Sequence, residues 1–312
     1  MRFSGLVSRR FAYRHRALLP RLAVNFARAS FSREPVFRSL DIAVTAECPL
    51  TCAHCYSRRY AAGGRPELSA GEIAGLIGQA DRMGAVMIQF NGGEPLTRSD
   101  LADLVAAVPR GRMCKSVTTS GLGLDAARLG ALAAAGLDFL VLSIDHADAP
   151  AHDAARGRPG LFDNAVAMAR LARSVGLGVM INTIAGEDAF SGDGAERVAR
   201  LALGLDAELN LIAPAGSDGA GALSPGAEAK RRALLLRRGI RWCGDSNYLG
   251  GGCAAGREKL TVSPFGDVYA CALVQVPAGS VRTEPLDAIW RRLCAAPVKP
   301  PGSCGNPRGG SR

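Results

Sequence analysis

Leu40-Asp41-Ile42-Ala43-Val44-Thr45-Ala46-Glu47-Cys48-Pro49-Leu50-Thr51-Cys52-Ala53-His54-Cys55-Tyr56 runs from a short β-type segment straight into three cysteines. Segments of the same kind recur at Val86 (VMIQFN), Lys115 (KSVTT), Phe139 (FLVLSID), Gly178 (GVMINTI) and Ala207 (AELNLIA). Ala- and Leu-rich amphipathic stretches separate them, with Ser69, Ser99 and Asp125 placed to cap helices. Strands alternating with helices signal βα units and a parallel sheet. Six units between residue 38 and about residue 240 are too few for a closed eight-stranded barrel. The expected fold is therefore α/β, a partial, open (β/α)6 barrel. Such barrels carry their working residues at the C-terminal ends of the strands, where the three cysteines fall.

The cysteine spacing is C-x3-C-x2-C. Three thiolates this close in one loop can ligate three irons of a cubane cluster and leave the fourth iron open to an outside ligand. The same thiols could hold zinc, with His54 or a distant residue completing a tetrahedron. Zinc sites usually come as paired knuckles, whereas this triplet follows the first strand of a βα repeat.

The chain has 312 residues, 48% of them apolar and 21% charged, ordinary values for a globular protein with a substantial core. No uninterrupted apolar run reaches the roughly 18 residues of a membrane span, so the chain is expected to be soluble. The net charge of +10 is concentrated at one end. Residues 1–40 hold nine arginines against Glu34 alone, which leaves the body nearly neutral and gives no nucleic-acid face. Arg9 and Arg10 are similar to a twin-arginine signal, but Arg14, Arg16, Arg21 and Arg28 interrupt the apolar stretch that export requires, so a cytoplasmic protein is expected. Leu18, Leu19, Leu22, Val24 and Phe26 make this segment an amphipathic helix. It could pack at the barrel mouth or touch an anionic membrane surface peripherally.

With an aromatic Tyr56 after the triplet, at the end of the first strand of a partial barrel, the chain resembles the radical S-adenosylmethionine (radical SAM) superfamily. The resemblance implies that Cys48, Cys52 and Cys55 hold a 4Fe-4S cluster whose open iron chelates S-adenosylmethionine. Reductive cleavage then yields a 5′-deoxyadenosyl radical that takes hydrogen from a substrate, with flavodoxin or ferredoxin as the expected reductant. Gly92, Gly93, Glu94 and Pro95 are similar to the family's GGEP motif, which binds the methionyl amine. Ser143 and Arg156 lie in a stretch, LVLSIDHADAPAHDAARG, that resembles the family's contacts to the ribose and carboxylate of the cofactor. Thr119, Ser120 and Gly121, ending the third strand, and Asn182, on the fifth, are further pocket candidates.

After about residue 240 the composition turns to Gly, Cys and Pro, with a hairpin expected in KLTVSPFGDVYAC. Cys253-x12-Gly266-x4-Cys271 resembles the start of the SPASM/twitch extension, which implies an auxiliary iron–sulfur cluster. Cys243, Cys294 and Cys304 could supply its remaining ligands. The full C-x2-C-x5-C-x3-C continuation is missing, which favours a single auxiliary cluster of the twitch type. Cys243 could instead donate a hydrogen atom to a substrate radical. Cys114, expected before the third strand at the barrel's bottom face, reads as structural.

The chain thus divides into a basic helical extension (1–37), a radical SAM core (38–240), an auxiliary-cluster module expected to be separate (241–295) and a flexible tail (296–312). The leading functional expectation is oxidation or epimerisation of a small biosynthetic intermediate. The alternatives are maturation of a ribosomally made peptide and a non-catalytic iron–sulfur electron-transfer or metal-binding protein. Peptide-modifying relatives often carry a leader-binding domain of about 80 residues, more than the 38 before the first strand allow.

Overall fold

The computed structural model describes residues 15–31, 35–60, 62–214, 223–243 and 253–296. Seven strands run parallel in sequence order: β1 (Ser39–Ala43), β2 (Met87–Asn91), β3 (Cys114–Thr119), β4 (Phe139–Ser143), β5 (Gly178–Ile184), β6 (Glu208–Ile212) and β7 (Ile240–Trp242). The six expected strands are β1 to β6. The seventh, with the sequence IRW, is too short and too mixed in polarity to announce itself.

Alternation sorts each strand by face, because successive side chains point to opposite sides of a sheet. Leu40, Ile42, Ile88, Phe90, Leu140, Leu142, Ile181 and Leu209 are buried beneath the helices in one continuous core. Residues of the other parity, among them Asp41, Gln89, Thr118, Asn182 and Asn210, lie on the concave face. That face is polar and internally bonded: Gln89 Nε2 donates to Thr118 Oγ1 at 3.1 Å and Asn210 Nδ2 to Asn182 Oδ1 at 3.0 Å.

Helix starts follow the local chemistry. Ser69 and Glu72 form a capping box on the helix Ala70–Arg82, and Asp125 caps Ala126–Ala134. Ser99 does not cap: the helix Leu101–Ala107 begins after Asp100, whose carboxylate is taken by Arg98 at 2.6 and 2.8 Å.

The hairpin expected near the C-terminus forms from β8 (Lys259–Val262) and β9 (Asp267–Cys271). Its turn uses Gly266 at φ +93°, a left-handed conformation that favours glycine. The hairpin is not detached from the barrel. β8 pairs in parallel with β1, and β10 (Val274–Ser280) extends the sheet beyond β9, giving the order β10-β9-β8-β1-β2-β3-β4-β5-β6-β7. Open backbone groups on the free side of β1 make that edge a template for β8. The helix Leu286–Ala295 returns to the outer layer, burying Leu286, Ile289 and Leu293 and setting Trp290 edge-on to Phe37 at 5.1 Å.

The basic extension forms the helix Leu19–Phe31, docked at the N-terminal ends of the strands rather than at the barrel mouth. Leu18 packs with Val86 and Cys114. Arg21 donates to Asp81 Oδ1 at 2.6 Å and Asn25 to the Gly84 carbonyl at 3.0 Å. His15 Nε2 meets Asp138 Oδ1 at 3.2 Å, while Asp138 Oδ2 accepts the Lys115 N–H. Cys114 lies 4.0 Å from His15 Nδ1, and burial pushes its thiol far above the usual range, as befits a packing residue. Among the described residues, no helix is long and apolar enough to cross a membrane.

Candidate functional site

Cys48, Cys52 and Cys55 occupy the loop after β1, packed around Leu50, Leu122 and Leu161. All three are free thiols. Burial raises Cys48 above the usual thiol range, and the nearby charges of Glu94, Cys55 and Cys52 add to it, which places the three sulfurs in one electrostatic group. The loop's entry is tied down: Glu67 accepts the Ala46 N–H at 2.7 Å, and Thr45 Oγ1 accepts the Glu47 N–H at 3.0 Å. A sulfur-only donor set carried on one short loop fits an iron–sulfur cluster.

The glycines at the end of β2 are required by that same entry. A Cβ on Gly93 would sit 2.7 Å from the Ala46 carbonyl oxygen, and one on Gly92 would sit 3.1 Å from the Thr45 nitrogen. Without side chains, the Gly93 N–H reaches the Thr45 carbonyl and the Glu94 N–H the Glu47 carbonyl, both at 2.8 Å. The β2 turn is therefore laced to the residues immediately before Cys48, with Pro95 opening a short 3-10 turn behind it.

Glu94 is only 2% exposed, and its carboxylate is fully engaged. It accepts from Thr119 Oγ1 (2.5 Å), Ser120 N (2.9 Å), Ser120 Oγ (2.6 Å) and Leu96 N (3.2 Å). Thr119 and Ser120 thus join the site through Glu94, and Gly121 follows them with its N–H on Thr119 Oγ1. Among the described residues, three buried polar atoms on the concave face, Asn91 Oδ1, Ser116 Oγ and Thr261 Oγ1, have no hydrogen-bond partner. Orphaned polar atoms on this face fit a polar guest such as S-adenosylmethionine.

Ser143 ends β4, in register with Asn182 of β5. Beyond it, Arg156 grips Asp145 Oδ2 through Nε at 2.9 Å and Nη2 at 2.7 Å, and His54 Nε2 stands 3.4 Å from the same oxygen. The Ile184 N–H caps Asp145 Oδ1 at 3.0 Å. Burial alone would raise the Asp145 carboxyl, but Arg156 and His54 outweigh it and hold it below the usual carboxylate range. Burial, and then the Arg156 charge, push His152 down to about 4, and its Nδ1 accepts the Asp145 N–H. Sequence reasoning passed over this network. Asp145 was visible two residues after Ser143, and His54 stood inside the triplet, yet nothing linear announced that they meet.

The second sulfur group lies at the other side of β1. Cys243 follows β7, Cys271 ends β9 and Cys253 precedes β8. Burial raises Cys243, and Cys271 and Cys253 act on it as neighbouring charges, as do Lys259 and Asp41. Tyr56 is within electrostatic reach of Cys55 and of Cys271 and Cys243. Its ring meets Tyr60 at 6.2 Å, and Tyr60 meets Tyr269 at 5.8 Å. These three thiols fit an auxiliary cluster on the same grounds as the first three. Cys294 is not brought to them: it sits on the outer helix Leu286–Ala295, with Arg257 as its charged neighbour. Cys304 lies outside the described residues.

Two family profiles match the chain: the radical SAM superfamily over residues 42–200, and the iron–sulfur cluster-binding SPASM domain over residues 253–299. A PqqA peptide cyclase of Streptomyces rochei is 30% identical over 272 residues, covering 80% of this chain and 74% of that protein. The structure of SuiB from Streptococcus suis bound to precursor peptide SuiA superposes with a TM-score of 0.66 at 16% identity, covering 87% of this chain and 69% of SuiB. Native anSMEcpe with bound AdoMet gives 0.61 at 17% identity, covering 81% of this chain and 80% of its own, so both share the fold. With the triplet at the end of β1, the open barrel around it and the C-terminal cysteine hairpin, the chain belongs to the radical SAM superfamily and carries the SPASM-type iron–sulfur extension.

Proposed function

We propose that this radical SAM enzyme modifies a peptide, with residues 38–240 as the catalytic core and 241–295 as the auxiliary extension. The observation that carries this reading is the 30% identity to a PqqA peptide cyclase across most of both chains. The SuiB fold, solved with its precursor peptide, is consistent with it. The small-molecule oxidation or epimerisation expected from sequence gives way accordingly.

Cys48, Cys52 and Cys55 would hold the catalytic 4Fe-4S cluster, and Cys243, Cys253 and Cys271 the auxiliary one. When bound, the cluster and S-adenosylmethionine supply one-electron cleavage to a carbon radical that removes hydrogen from substrate. The chain's own residues position and shield this chemistry. Gly92 and Gly93 let the β2 turn lie against the cysteine loop, and Glu94 locks that turn to β3. Asn91, Ser143 and Asn182 present polar atoms on the strand ends. Arg156 is held in place by Asp145, which His54 ties back to the cysteine loop. Tyr56 stands within electrostatic reach of cysteines of both sulfur groups, and a flavodoxin or ferredoxin would deliver the electron.

The test is anaerobic reconstitution with iron, sulfide and dithionite, followed by measurement of 5′-deoxyadenosine and of peptide mass. The peptide offered is the product of a short reading frame beside the gene. Wild type is expected to form 5′-deoxyadenosine and to change the peptide's mass, whereas a Cys48/Cys52/Cys55→Ala variant does neither. Turnover stimulated by small polyols or amino sugars, with the peptide untouched, would overturn the peptide assignment.

A further inference from the structure

We propose that Lys259 is the fixed positive charge of the auxiliary iron–sulfur site, placed to stabilise the more negative state that site reaches on accepting an electron. The inference rests on the assignment of Cys243, Cys253 and Cys271 to that site.

The register puts Lys259 there. β8 pairs with β1 as Ser39↔Lys259 and Asp41↔Thr261, while Leu260 and Val262 fall opposite Leu40 and Ile42. The four apolar residues belong to the core beneath the helices, so Ser39, Asp41, Lys259 and Thr261 share the concave face. In the antiparallel pair of β8 and β9, Thr261 faces Tyr269. Cys271, two residues on from Tyr269 in β9, has the same parity and so shares the concave face with Lys259. The Lys259 ammonium and the Cys271 thiol therefore lie on one face of adjacent strands, and each acts on the other's surroundings as a nearby charge.

Among the described residues, Lys259 makes no ion pair and no side-chain hydrogen bond. An ammonium inside a barrel without a counter-charge is costly. The groups around it are anionic when ionised. The Cys271 charge acts most strongly, burial opposes it, and Cys243, Asp41 and Cys253 add to Cys271 to hold the ammonium above the usual lysine range. Asp41 is the opposing element on the same face, a carboxyl raised by burial and lowered by Lys259 and Arg38.

Three thiolates leave a cubane cluster anionic, and an added electron makes it more so. A fixed cation a few ångströms away favours that reduced state, and low local dielectric magnifies the effect. Nothing in the family motif quoted above calls for a lysine here. Its position follows from strand pairing.

The experiment uses anaerobically reconstituted holoenzyme: wild type, Lys259→Met, Lys259→Arg and Asp41→Asn. Iron per chain is counted, and each cluster's midpoint potential is read by EPR during redox titration, the catalytic signal being identified by its change on adding S-adenosylmethionine. The expected result is unchanged iron, with an auxiliary midpoint that falls in Lys259→Met, stays near wild type in Lys259→Arg and rises in Asp41→Asn. The catalytic midpoint stays put. If Lys259→Met sheds auxiliary iron while Lys259→Arg keeps it, the rise in Asp41→Asn carries the proposal. An unmoved auxiliary midpoint in Lys259→Met with full iron overturns the proposal and returns Lys259 to a substrate-binding or packing role. Wild type with the iron of one cluster only, unchanged by Cys253→Ala, overturns the auxiliary assignment itself and this proposal with it.

Discussion

Replacing Glu94 by glutamine changes one atom and sets two demands against each other. The carboxylate accepts four hydrogen bonds, and two of the donors, Leu96 N–H on Oε1 and Ser120 N–H on Oε2, are backbone groups that cannot turn round. The hydroxyls of Thr119 and Ser120 can rotate to accept instead. Whichever way the new amide is oriented, its NH2 faces one backbone N–H, which is left unsatisfied in a buried place. An unsatisfied buried donor costs about 1–3 kcal/mol. The surviving bonds also lose their charge assistance, roughly half their strength. Together these predict that Glu94→Gln destabilises the cluster-free chain by about 2–4 kcal/mol, read as a lower urea midpoint at unchanged slope. A change below about 0.5 kcal/mol would refute the reasoning, because the four bonds could not then be present as described. A glutamate serving only to receive the cofactor's ammonium would leave the cluster-free protein untouched. The measurement therefore separates the scaffold role from the binding role.

Gly93→Ala should keep the fold by circular dichroism but push residues 46 and 47 away from the β2 turn, since its Cβ would lie 2.7 Å from the Ala46 oxygen. A shift of about 1 Å beside Cys48 predicts a loss of around 100-fold in 5′-deoxyadenosine formation, and wild-type turnover would count against it. Iron analysis should find less iron in Cys243→Ala and unchanged iron in Cys294→Ala, because Cys243 joins Cys253 and Cys271 whereas Cys294 lies on the outer helix. The Arg231 and Arg232 side chains hold Glu228 at about 2, below its ordinary 4.5. A lowered carboxyl contributes stability that is complete above the unfolded value and lost as pH falls from about 4.5 to 2. Glu228→Gln should therefore be less stable than wild type by about 1 kcal/mol at pH 7, after solvent screening, and equal to it near pH 2. Val24 (56% exposed) and Phe31 (88%) project from the basic helix, and sedimentation with anionic but not neutral vesicles, lost in Val24→Ser/Phe31→Ser, would establish the peripheral membrane contact that the sequence allows beside packing.

The alternation of strands and helices, the triplet and the Gly-Gly-Glu-Pro turn were legible in the linear sequence because each is a local pattern. Period-two burial, short spacing between thiols and a glycine turn need no knowledge of distant residues. The same local character let Ser69 and Asp125 be read as caps, whereas Ser99 failed because the helix starts one residue later, with Asp100 at the cap position. The sequence also marked Cys253 and Cys271 as partners through the hairpin between them. It could not choose among Cys243, Cys294 and Cys304, since that choice depends on which layer each segment enters. Helix Leu286–Ala295 carries Cys294 to the outer face, while β7 delivers Cys243 to the inner one. Likewise, only the tertiary structure joined β8 to β1 and to β9 and so set Lys259, Asp41 and Cys271 on one concave face. The physical reason is the same in each case. Side-chain type and spacing specify local geometry, but charges and thiols far apart in the chain become neighbours only through strand pairing, and that pairing is decided by the whole sheet.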